Sequence, residues 1–237
     1  MSLRILKSLL IVVALLILTI AAPSTHERAL LYYVGNATVT LNPTWSSATG
    51  GTGFQIWTNQ GPRILTNAHV CGLGAKDGLM VSNQEWSTIP AYVHKILRVD
   101  KKKDLCLLQG RPDLFTLHLN RSGSSVLDEV FTIGHPALEP LTLARGRVRG
   151  DQIIKIGYRM PPGAPDSSCK GELFIFWDRA CLMPFKATGT SLRIFGGNSG
   201  SPVVNALGQV VGVIFAGNVR THHGFYVPFE LVQEFLQ

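Results

Sequence analysis

The chain has 237 residues and carries 22 Lys and Arg against 15 Asp and Glu, a formal net charge of +7. That length suits one large domain or two small lobes, and the absence of internal repeats or low-complexity stretches excludes a solenoid or a disordered chain. The basic residues are mostly scattered and the aromatic ones fall largely in predicted strands, so the clustered basic face that nucleic-acid binding needs is missing and no nucleic-acid partner is expected.

Arg4 and Lys7 open the chain, and residues 9–22 are apolar apart from Thr19. A positive start, a short apolar run and small residues at Ala21 and Ala22 have the form of a secretory signal. The run is short of the ~20 residues a membrane-crossing helix needs; Ile5 and Leu6 could extend it into a signal-anchor that tethers the chain to a membrane. Either reading places the remainder outside the cytoplasm. Residues 1–29 are therefore read as signal peptide or signal-anchor, and 30–237 as the folded domain.

Past residue 30, short β-branched runs punctuated by Gly, Pro, Asn and Ser read as strands at 37–41, 54–58, 91–99, 129–133, 152–156 and 209–215. Arg145, Arg147 and Arg149 alternate along one face of a strand, read as a solvated edge. A polar, Pro-rich loop covers 161–168, beside the cleft or simply on the surface. Cys169 and Cys181 flank a predicted strand at 171–177 and could close a loop of about a dozen residues, worth roughly 3 kcal/mol. Only 229–236 has helical spacing, with Leu231, Val232, Phe235 and Leu236 on one side.

Three segments carry chemistry. In Phe195-Gly196-Gly197-Asn198-Ser199-Gly200-Ser201-Pro202 a serine sits between glycines. Gly197 permits a tight turn that aims its own N–H and that of Ser199 at one developing oxyanion, and Gly200 keeps a Cβ away from the attacked carbonyl. Ser199 needs a base, and His69 in Thr66-Asn67-Ala68-His69-Val70-Cys71 has a suitable side chain. Asp104, at the head of the apolar stretch Leu105-Cys106-Leu107-Leu108, can accept from the other imidazole nitrogen. Singly these would read as a structural histidine, a solvated turn aspartate and a turn serine; together they make a nucleophile, a base and its orienter. If His69 and Asp104 meet, Cys71 and Cys106 come together too, as a bridge or as two buried thiols.

The order His, Asp, Ser resembles the trypsin-like (chymotrypsin-fold) serine peptidases, in particular the glutamyl-endopeptidase-like and HtrA-like branch. Further matching segments are Gly51-Thr52-Gly53-Phe54, Ile133-Gly134-His135-Pro136 and Gly224-Phe225-Tyr226-Val227-Pro228. The resemblance implies an all-β fold of two six-stranded antiparallel β-barrels with a short C-terminal helix, preceded here by the N-terminal apolar helix. His69 and Asp104 would come from the first barrel and Ser199 from the second. It implies a serine endopeptidase acting on protein or peptide through an acyl-enzyme, with no metal or cofactor. The alternative is an inactive relative serving as an extracytoplasmic protein-binding module. No PDZ-like accessory domain is expected after the folded domain. Asn198 replaces the aspartate that pairs with a newly cut N-terminus in digestive trypsins, so no such zymogen switch is expected. Substrate-binding residues by resemblance are Ile194, Phe215, Ala216, Gly217, His223 and Tyr226. Arg193 stands where trypsins carry a carboxylate, which argues against tryptic specificity. Ile214 stands where glutamyl enzymes carry a histidine, although His222, His223 or Arg193 could favour an acidic group. Ile194 and Phe215 favour a small or medium apolar side chain.

Overall fold

The computed structural model describes residues 24–43, 49–72, 78–82, 92–159, 165, 172–175, 179–218, 220–221 and 223–237. The apolar leader, Cys169, His222 and all but Pro165 of the 161–168 loop lie outside them. The first element of the described residues, missed in the sequence, is helix α1 (Thr25–Gly35). Its signal was a capping box: Ser24 Oγ accepts from Glu27 N at 3.1 Å, and the Glu27 carboxylate accepts from Ser24 N at 2.9 Å. The helix straddles residue 30, and its Leu30 and Val34 are buried.

Strands β1 (Thr38–Asn42), β2 (Gly51–Thr58), β3 (Gly61–Thr66), β4 (Leu79–Ser82), β5 (Tyr92–His94), β6 (Ile96–Asp100) and β7 (Leu105–Gln109) form one antiparallel sheet in the order β5-β4-β1-β2-β3-β7-β6. The 91–99 run expected as one strand is two, β5 and β6, interrupted at Lys95; β5 pairs with β4 and β6 with β7, so the kinked run closes the sheet on itself. The helical turn α2 (Ala68–Cys71) follows β3.

The second sheet holds β8 (Glu129–Gly134), β9 (Thr142–Arg159), β10 (Glu172–Ile175), β11 (Arg179–Arg193), β12 (Pro202–Val204), β13 (Val210–Gly217) and β14 (His223–Pro228), in the order β10-β11-β14-β13-β12-β8-β9. An added β11–β9 pairing closes a ring of six, with β10 appended to β11. Two closed six-strand circuits are thus present, counting the broken β5–β6 run once. β9 pairs with β8 along Thr142–Arg147 and with β11 along Val148–Arg159, so the arginine alternation lies where the strand passes from one partner to the other; Arg145, Arg147 and Arg149 are exposed, with Arg145 on Glu129 at 2.7 Å.

Alternation along the strands divides the core. In β7, Cys106 and Leu108 point into the first barrel, whereas Leu105 joins a third cluster between the barrels. In β8, Val130 fills the second barrel while Phe131 and Ile133 enter the shared cluster. Such strands are buried on both faces, which is why they read as continuous apolar runs. Leu30 and Val34 of α1, and Val232 and Phe235 of the C-terminal helix α3 (Phe229–Leu236), pack on the same inter-barrel core.

Candidate active site

His69 and Asp104 both come from the first barrel. His69 lies on α2, with its side chain 45% exposed, and Asp104 sits at the turn into β7, buried and with φ +51. Aspartate tolerates this left-handed backbone better than most residues. Its carboxylate grips His69 twice: Oδ1 accepts from the His69 backbone N–H at 2.9 Å and Oδ2 meets ring Nδ1 at 2.8 Å. Buried Asn67 donates from Nδ2 to the Asp104 carbonyl at 3.0 Å, fixing the aspartate's backbone as well. A proton on Nδ1 leaves the Nε2 lone pair as the free basic site. Cys71 and Cys106 form a disulfide that ties α2 to β7; the other proposed partner pair includes Cys169, outside the described residues.

Ser199 lies in the turn before β12, in the second barrel. Its Oγ makes a long bond of 3.5 Å to the Phe215 carbonyl, and no bond to His69 is formed. The two barrels nevertheless touch at this point, since Thr52 N donates to Ser199 O at 2.7 Å. Within the turn, the N–H groups of Asn198, Gly200 and Ser201 are bonded to Phe195 O, Ile214 O and Asn198 O. Among the described residues, those of Gly197 and Ser199 have no such partner and remain available to an anion. Gly197 (φ +90) and Gly200 (φ +88) both need glycine's freedom. The reason at Gly200 differs from the sequence expectation: a Cβ there would overlap the Thr52 carbonyl oxygen, rather than crowd a substrate.

A cleft of about 510 Å³ is lined by His69, Asp104, Phe215, Ala216, Gly217, Asn218, Phe225 and the β9 residues Ile154, Lys155 and Ile156. The β9 contribution was missed in the sequence, where nothing local marks one strand as facing a site on the other barrel. Of the expected pocket residues, Phe215, Ala216 and Gly217 line this cleft. Buried Ile194 lies between Gly217 and Gly224; a Cβ on either glycine would press against it. Tyr226 does not reach the surface: it is fully buried and its hydroxyl bonds Ser124 Oγ at 2.6 Å, so it stands behind the wall. Burial pushes its phenol up to about 12. His223 lines a separate cavity against Arg149, whose Nη1 is 3.0 Å from the ring. Arg193 is exposed and lines another, with Phe195 and Asn198. Behind the Ser199 turn lies His135, buried, with burial holding its imidazole below the ordinary histidine range.

A model of the trypsin-like peptidase domain matches residues 51–213. The chain belongs to the trypsin-like peptidase family. Among its trypsin-like relatives is the pro-apoptotic serine protease NMA111 of Candida glabrata, 30% identical over 188 residues, which are 76% of this chain and 17% of that protein. The chain thus spans about a sixth of the length of the curated relatives it matches. The Rv3671c protease of M. tuberculosis in its active form superimposes with a TM-score of 0.65 at 19% identity, covering 91% of this chain and 86% of that one. A serine endoprotease from Yersinia pestis gives 0.61 at 21% identity, covering 90% and 65%. These two likenesses carry the trypsin-like fold, two curled antiparallel sheets as described above.

Proposed function

We infer that this chain is a serine endopeptidase in which Ser199, His69 and Asp104 act as nucleophile, base and orienter. The observation that carries this reading is the double grip of Asp104 on His69, at a cleft whose Phe215 meets the Ser199 hydroxyl, together with two unspent N–H groups in the serine turn. In the reaction His69 Nε2 takes the Ser199 proton as Oγ attacks the peptide carbonyl. The carbonyl oxygen becomes an anion held by Gly197 N–H and Ser199 N–H. The protonated His69 then gives its proton to the leaving amine, and water releases the acyl group by the same route. Ile194 fills the space between Gly217 and Gly224, which favours a small apolar side chain before the scissile bond. The Cys71–Cys106 disulfide favours an oxidising, extracytoplasmic location. No described helix is long and apolar enough to cross a membrane, so a tether would rest on the leader.

A second reading, a non-catalytic protein-binding module, draws on the Ser199 hydroxyl facing Phe215 O instead of His69. Free hydroxyl rotamers exchange within nanoseconds, and hydrogen bonds of this kind tighten when substrate arrives. A fluorophosphonate probe separates the two. The expected outcome is stoichiometric labelling of the folded chain, lost in Ser199→Ala together with peptide hydrolysis. A folded wild type that takes no label would leave the binding module standing.

A further inference from the structure

The turn bearing Ser199 is held by its carbonyls. Gly196 O accepts from Ala137 N at 2.5 Å, Asn198 O from Ser201 N at 2.9 Å and Ser199 O from Thr52 N at 2.7 Å. Gly197 O accepts from Thr52 Oγ1 at 2.8 Å. A trans peptide carries its C=O and N–H on opposite sides. Pinning Gly196 O therefore sets the direction of Gly197 N–H, and pinning Asn198 O sets that of Ser199 N–H. The peptide between these two, 197–198, joins the two donor peptides, so its orientation helps set the angle between them, and its carbonyl is held by a side chain.

That side chain belongs to the opposite barrel. Thr52 is fully buried at the start of β2, and each of its polar atoms is used. Besides the two bonds to the Ser199 turn, its Oγ1 accepts from His135 N at 3.2 Å and its carbonyl accepts from Thr66 Oγ1 at 2.7 Å. Thr66 ends β3, the strand that leads into the His69 turn. The His135 segment continues into Pro136–Leu138, where Ala137 and Leu138 hold φ of +52 and +62, and Ala137 is the residue that clamps Gly196 O. Strained non-glycine backbone held by its surroundings marks a constraint beyond packing. One threonine thus links the turn that presents the nucleophile, the strained turn that braces it and the strand that delivers the base.

We propose that Thr52 is a positioning residue of the oxyanion site: its hydroxyl locks the 197–198 peptide so that Gly197 N–H and Ser199 N–H converge before substrate arrives. Oxyanion donors lower the barrier only when they need no reorganisation during reaction. Removing the hydroxyl leaves the part-buried Gly197 O without its donor, and the turn relieves this by rotating the peptide. The inference rests on the peptidase reading above.

The test compares Thr52→Val, which keeps shape and loses the hydroxyl, with Thr52→Ser, which keeps the hydroxyl. Loss of a whole oxyanion donor lowers kcat by about a hundredfold or more, so a loosened pair should lose about tenfold or more. The expected result for Thr52→Val is that fall in kcat with KM unchanged. Affinity for a peptide aldehyde, which forms a tetrahedral adduct, should drop in parallel, while affinity for the matching cleaved peptide is kept. Thr52→Ser should restore both within about threefold. A wild-type kcat in folded Thr52→Val, a rise in KM alone, or a Thr52→Ser as impaired as the valine overturns the proposal. If Thr52→Val does not fold, Thr52→Ala against Thr52→Ser is read in the same way. Fluorophosphonate labelling of the wild type keeps the two levels apart. A labelled wild type with an unimpaired valine variant sinks Thr52 alone, and an unlabelled folded wild type sinks the peptidase reading and this inference with it.

Discussion

Asp104 illustrates how much a single residue can be asked to do: left-handed backbone, buried carboxylate, and two bonds to one histidine. Its place beside His69 was legible in the sequence because the motif is local, an aspartate heading an apolar strand. Thr52 and Gly200 were not legible in the same way, since each is explained by atoms from the other barrel. The pocket was legible in part. Ile194 was named in the sequence, but its seat between Gly217 and Gly224 depends on how the ends of β11, β13 and β14 come together. Ile194→Ala should open that space, and peptide-library profiling should show a shift from small residues toward Leu or Phe before the cleaved bond. His135 gives a pH prediction. Burial depresses its folded pKa below the ordinary value of 6.5, so its contribution is present above pH 6.5 and is lost as pH falls through the lower, folded value. Buried His94 adds in the same direction. Melting temperature should therefore fall on acidification below pH 6.5, and the slope should lessen in His135→Gln.

At the scale of elements, the disulfide is the most consequential link. It closes a loop of 35 residues, from just after His69 to just after Asp104. Chain entropy for such a loop amounts to about 4 kcal/mol. The double variant Cys71→Ser/Cys106→Ser should lose about that much in urea titration, and peptide hydrolysis should weaken beyond what the unfolded fraction explains. The bridge was one of two open readings in the sequence, decided by whether α2 and β7 lie side by side. Helix α1 escaped notice because its apolar residues form no clear stripe; only the Ser24–Glu27 box announced it, a device worth ~1 kcal/mol. Strand periodicity likewise gave β5 and β6 as one run, since the kink at Lys95 has no glycine or proline to mark it.

For the whole molecule, the architecture was legible through the family resemblance that three short motifs in order carry, and the structure has the two curled antiparallel sheets that this resemblance implies. The inter-barrel core is what makes the cleft a fixed object. Phe131 lies in it with Phe54, Leu105 and Val213, all buried. Phe131→Ala should cost about 3–5 kcal/mol, and fluorescence and far-UV circular dichroism should still report one coincident transition, because neither barrel keeps its outer apolar face alone. A last feature bears on what can approach His69. β9 and β11 pair from Thr190↔Val148 out to Ala180↔Arg159, well past the circuit of the second barrel. The middle of this arm, Ile154 to Ile156, forms one bank of the cleft. Under the peptidase reading, that bank bounds the channel on one side and suits a slack polypeptide laid along it better than the rounded surface of a compact globule.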